Sequence, residues 1–258
     1  MYKQQTNMWA IIGLLLTLVL ALCLGTFSKV QASPLYGSGG CIMGAKSEAG
    51  VASLDEAGTP VQLEALDANF VSTIHTEANV LRSVFGVNTP VMFIKENDKP
   101  NSYAYVPDDQ EELNKLGLQR GEGVVLLGLD LMSGEFNTQF RTGYGIPSLM
   151  AHEYTHILQE RFNFPYANKW AELHADFMAG WYTAFRLRLT PQNMVESAFS
   201  FYNKGSYDFN SPRFHGTPKD RVAAFIAGAV ANFTGKVNSS RDAYNWGVVY
   251  VLARGAKR

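Results

Sequence analysis

Histidine and cysteine are scarce in this chain, with five of the first and two of the second in 258 residues. So few cysteines exclude a disulfide framework. Cys23 sits inside an apolar run and Cys41 in a glycine-rich stretch, so no bridge between them is expected. Nothing near Cys41 would depress its thiol, and it reads as an inert linker residue. Charge is also sparse, at 17% of residues, and sums to −1, leaving no basic excess to hold a nucleic acid. An internal repeat, a glycine-rich phosphate loop and a Gly-x-Ser-x-Gly elbow are all missing. What is present is 47% apolar, a composition that suits one large globular domain or two small ones.

The chain begins with a targeting segment. Residues 8–27 carry no charge, are almost wholly apolar and lie between Lys3 and Lys29. Val30-Gln31-Ala32 before Ser33 puts small residues where a signal peptidase cuts, which makes residues 1–32 a cleaved signal peptide. The apolar run also approaches the roughly 20 residues that span a bilayer, which makes it an uncleaved membrane anchor. Both readings export the remainder, as a secreted or periplasmic protein or as one tethered to the membrane through residues 8–27. Loss of residues 1–32 would remove Lys3 and Lys29 and leave 20 basic against 23 acidic residues, a net of −3. Residues 33–60, rich in Gly, Ser and Ala, read as a flexible linker, and residues 61–258 as the folded domain.

Within that domain, apolar residues at helical spacing predict a long amphipathic helix over 61–85, carrying His75 without a partner at metal-ligand spacing. Short strands are expected at 90–95 and 102–106, pairing as a hairpin, with a short helix at 111–116. The apolar run 123–132 reads as a strand, either a core strand or the sheet edge along which an extended peptide would bind. Helices follow at about 146–162, 169–188, 191–203, 218–233 and 242–252. A small sheet in the first half and helices in the second make the fold class α+β.

The chemistry concentrates in Ala151-His-Glu-Tyr-Thr-His-Ile-Leu-Gln159, which contains His-Glu-x-x-His. On a helix, His152 and His156 lie one turn apart on one face and can grip one cation. Zinc accepts neutral imidazole, and a catalytic zinc takes three protein ligands and leaves a position for water. Glu153 is placed to take a proton from that water as general base.

A third ligand is expected from the next helix, where Glu172 and Asp176 are four residues apart and share a face. Glu172 would bind the ion and Asp176 would hold an imidazole by its other nitrogen. His174 competes for the ligand role, but it stands roughly 200° around the helix from Glu172 and lacks Asp176 on its side. A third His six residues beyond His156, as in another zinc pattern, is absent, with Gln159 and Phe162 along that stretch.

These blocks, followed by His215-Gly-Thr-Pro-Lys-Asp-Arg221, resemble the neutral zinc metallopeptidases of bacteria within the wider gluzincin group. The resemblance covers residues 148–228. It implies a zincin-like fold, zinc on His152, His156 and Glu172, Asp176 behind the ligands, and a peptide or protein substrate. Phe177, where such sequences often carry Cys, and the short connection between the motif helices depart from the pattern. His215, just before a helix, is either a donor to the oxyanion formed in hydrolysis or a capping or packing residue. The expected activity is zinc-dependent peptide hydrolysis. The alternative is an exported zinc-containing scaffold or binding protein without turnover.

Overall fold

The computed structural model describes residues 68–94, 96, 100–107, 110–136, 143–187, 191–209 and 214–256. The stretches expected to be a targeting segment and a linker, residues 1–32 and 33–60, lie outside the described residues. Among the described residues no helix is long and apolar enough to cross a membrane.

Helix α1, Ala68–Phe85, buries Ile74, Ala78, Leu81 and Phe85, the three-and-four spacing of one helix face. His75 is on the exposed side with its ring edge-on to Phe93. Strands β1 (Val91–Ile94), β2 (Ser102–Tyr105) and β3 (Val124–Gly128) make one sheet, with α2 (Gln110–Leu116) between β2 and β3.

The expected hairpin does not form. β3 inserts between the other two, parallel to β1 with Val91 opposite Val125, and antiparallel to β2 with Ser102 opposite Leu127. The reason is burial: every residue of β3 is buried, and a strand covered on both faces belongs in the middle of a sheet. β3 is therefore a core strand and its backbone is not a substrate-binding edge.

The apolar run also stops being a strand after Gly128. It continues as helix α3, Leu129–Phe136, because the Glu96 carboxylate accepts the backbone N–H groups of Asp130 and Leu131, both at 2.9 Å. An acidic group at a helix N-terminus satisfies orphan donors and complements the helix dipole.

The helical lobe comprises α4 (Gly145–Arg161), α5 (Lys169–Leu187), α6 (Pro191–Asn203), α7 (Pro218–Phe233) and α8 (Ser240–Ala253). α4 packs on α1 and the sheet on one side and on α5 and α6 on the other. The most extensive helix pairing is α5 with α7, and glycines on both make it possible. A Cβ at Gly180 would collide with the Phe225 carbonyl, and one at Gly228 with the Phe177 carbonyl. Trp181, Tyr182, Phe201 and Phe225 fill the lobe and are wholly buried. The protein is a mostly helical α+β fold with a three-stranded sheet.

Candidate metal centre

α4 is buried on nearly every side from Gly145 to Gln159, although it carries Ser148, His152, Glu153, Thr155, His156 and Gln159. Buried polar groups need partners. Ser148 meets Thr183 on α5, 2.8 Å between hydroxyl oxygens, and Thr155 donates back to the Ala151 carbonyl at 2.8 Å. The remaining four belong to the site.

The C-terminus of α4 is closed by a left-handed residue, as the Asn163-Phe164-Pro165 sequence suggests. Asn163 has φ +50°, its N–H donates to the Glu160 carbonyl at 3.1 Å, and that of Phe164 donates to the Gln159 carbonyl at 2.8 Å. This is a Schellman closure with asparagine in the usual glycine position. It turns the chain at once into α5.

The expected ligands converge. His152 Nε2 lies 3.1 Å from His156 Nε2 and 3.3 Å from Glu172 Oε2, and His156 Nε2 lies 3.5 Å from Glu172 Oε1. One ligand atom from each of the three residues lies within 4.8 Å of the other two, so His152, His156 and Glu172 are close enough together to hold one metal ion. All three side chains are buried.

Behind the ligands stands a second ring of partners. Asp176 Oδ1 lies 2.9 Å from His152 Nδ1, as the shared face of α5 led us to expect. Asp176 also accepts a fork from Arg221 of α7, Nε to Oδ2 at 2.8 Å and Nη2 to Oδ1 at 2.7 Å, and Arg221 Nη2 is 3.5 Å from Glu172 Oε2. On the other side, Gln159 Oε1 meets His156 Nδ1 at 2.8 Å. Gln159 Nε2 reaches the Ala171 carbonyl at 2.8 Å and His174 Nδ1 at 2.9 Å, and His174 Nε2 reaches the Tyr244 carbonyl at 3.1 Å. His174 thus faces away from the ligand cluster, as its angular position on α5 requires.

His215 is brought to the cluster, its Nδ1 3.0 Å from Glu172 Oε1. Gly216, with φ +108°, makes the turn that a residue with a side chain would resist. Capping of α7 is the work of Thr217 and Asp220, which exchange hydrogen bonds in a capping box, so the capping role considered for His215 is overturned. Glu153 is fully buried on α4, next to His152 in the chain.

The electrostatics suit a cation. Burial pushes His156 down to about 4, with the Glu172 carboxylate pulling the other way, so its imidazole is neutral at pH 7. Burial alone would raise Glu172, but His215, His152 and His156 more than offset it and hold the carboxyl well below its ordinary value. The cluster therefore presents a neutral imidazole at His156 and an anion at Glu172, the protonation states that metal ligands need.

Residues that sequence reasoning left without a role are Arg221, Gln159 and His174. Arg221 closes the His215 to Arg221 block, and a charged residue in a motif that feeds a buried site is a signal that could have been read. The Gln159 to His174 contact joins two helices and has no local signature. Comparison with family models, curated proteins and solved structures finds no match to this chain, so the site is read from its own geometry.

Proposed function

We propose that this protein is a zinc-dependent metallopeptidase of zincin-like architecture, exported or membrane-tethered through residues 8–27. The observation that carries the reading is the convergence of the buried His152, His156 and Glu172 within reach of one ion, with Glu153 one residue from the first ligand. The mixed nitrogen and oxygen donor set suits zinc, and three protein ligands are the number found in its catalytic sites. Zinc held there would supply a water acidified to a pKa of about 7 and a Lewis acid for the scissile carbonyl.

The chain's own residues do the rest. Glu153 takes the proton of the attacking water and delivers it to the leaving amine. His215, beside Glu172, donates a hydrogen bond to the oxyanion. Asp176, itself clamped by Arg221, keeps His152 aimed at the ion. With β3 in the interior of the sheet, the outer strand β2, which packs against α4, is the edge at which an extended peptide would add.

Glu153→Gln tests the mechanism. The variant should keep about one zinc per chain while cleavage of a mixed peptide library falls by orders of magnitude. Undiminished cleavage would eliminate Glu153 as the base. A wild-type protein that binds zinc and cleaves nothing would favour the scaffold reading.

A further inference from the structure

His174 is not part of the His152, His156 and Glu172 group, yet it is fully buried and both of its ring nitrogens are engaged. The protons along this chain of contacts can be placed one at a time. The Tyr244 carbonyl has no hydrogen to give, so the 3.1 Å contact puts the proton on His174 Nε2. A neutral ring then has a lone pair on Nδ1, and Gln159 Nε2, 2.9 Å away, donates to it. The second hydrogen of the same amide goes to the Ala171 carbonyl at 2.8 Å. The amide oxygen must therefore face His156 Nδ1, and as an acceptor it requires the proton there. That leaves His156 Nε2 with its lone pair directed at His152 and Glu172.

The ring that starts this sequence is clamped. Phe164 and Tyr244 lie against His174, each with ring centroids 4.6 Å away. Gly247 of α8 is so close that a Cβ there would come within 2.8 Å of His174 Cδ2. A reversed Gln159 amide would turn an N–H toward His156 Nδ1 and drive the imidazole proton to Nε2, making a ligand atom into a donor.

We propose that Gln159 and His174 are positioning residues that lock His156 in its Nδ1–H tautomer, with the Tyr244 carbonyl of α8 setting the lock. The consequence for metal affinity rests on the metal-centre reading above, whereas the proton assignment does not. His174 thereby has a task that only a ring or group with one acceptor and one donor can perform.

The test uses the full chain with His174→Phe, which keeps an aromatic ring and lacks both nitrogens, and His174→Gln, which restores an acceptor and a donor. Two quantities are read. The tautomer of His156 in the metal-free protein comes from long-range nitrogen–proton NMR correlations, and the zinc Kd from competition with a chromophoric chelator. Wild type and His174→Gln should show the Nδ1–H form and zinc Kd values within about threefold of each other. His174→Phe should show a mixture of tautomers and bind zinc about 10–100-fold more weakly, the usual effect of losing an outer partner of a metal ligand. If His174→Phe does not fold, Gln159→Met breaks the same relay and should give the same loss. An Nε2–H tautomer in the wild type, or an unchanged zinc Kd in the folded relay-breaking variant, overturns the proposal. Failure of the wild type to bind zinc would instead defeat the hydrolase reading, and the His156 tautomer in that sample would still decide the lock.

Discussion

Substituting Arg221 by methionine removes a buried cation from between two carboxylates. The guanidinium is wholly buried, donates to both oxygens of Asp176 at 2.7 and 2.8 Å, and stands 3.5 Å from Glu172. Methionine fills much of the same space, so the loss is chiefly electrostatic. Deleting one partner of a buried ion pair typically costs about 3–5 kcal/mol, because the other charge is left without compensation. Against a total stability of roughly 5–15 kcal/mol, that is a large share. For a domain of this size, about 2–4 °C of Tm per kcal/mol converts it to a fall of roughly 6–20 °C. The assay is urea unfolding of the metal-free protein at pH 7 for Arg221→Met, Asp176→Asn and the double variant. Asparagine keeps an oxygen for His152 Nδ1–H. The double variant removes both charges, so its loss should fall short of the summed single losses by at least about 1.5 kcal/mol, well outside the few tenths expected of independent sites. Additive losses, or an Arg221→Met cost below about 1 kcal/mol, would refute the claim that this fork holds the site together.

Two further outcomes follow from the same geometry. His215→Ala should lower peptide turnover while zinc stoichiometry and unfolding midpoint stay near wild type; loss of zinc would instead make His215 part of the metal's support. Metal-free stability should also depend on pH. Burial pushes His156 down to about 4 and His174 down to about 3, against 6.5 for an ordinary imidazole, so as pH falls the unfolded chain binds protons first. The contribution of the two rings is complete above pH 6.5 and is lost from there, with a limiting slope of about 2.7 kcal/mol per pH unit while both titrate only in the unfolded chain, down to about pH 4 for His156 and about pH 3 for His174. Urea midpoints between pH 7 and pH 4.5 measure this, and a flat profile would mean that the two rings are not held neutral.

The candidate metal site was legible because its spacing is local. His152 and His156 sit one helical turn apart, as do Glu172 and Asp176, and short segments ending near Asn163 and beginning near Lys169 bring the two helices together. His174 ranked below Glu172 as a ligand because of its angular position and because Asp176 lies on the side of Glu172, and its ring nitrogens meet Gln159 and the Tyr244 carbonyl instead. Non-local contacts were another matter. The central place of β3 depends on pairing with residues 34 positions earlier in β1 and 19 to 25 positions earlier in β2, whereas the nearness of β1 and β2 in sequence suggested a hairpin instead. Conversion of the run after Gly128 into α3 depends on Glu96, more than 30 residues upstream. Arg221 reaches Asp176 across 45 residues of chain, through a helix pairing that Gly180 and Gly228 permit. Periodicity finds faces, but it does not say what a face will meet.

Zinc K-edge absorption spectroscopy on the zinc-loaded protein tests the central claim most directly. One zinc per chain is expected, with two imidazole nitrogens at about 2.0–2.1 Å and a carboxylate oxygen at about 2.0–2.2 Å. The imidazole signal should halve in His156→Ala. Absence of stoichiometric zinc, or a coordination shell without imidazole, would contradict the assignment of His152, His156 and Glu172 as a metal centre.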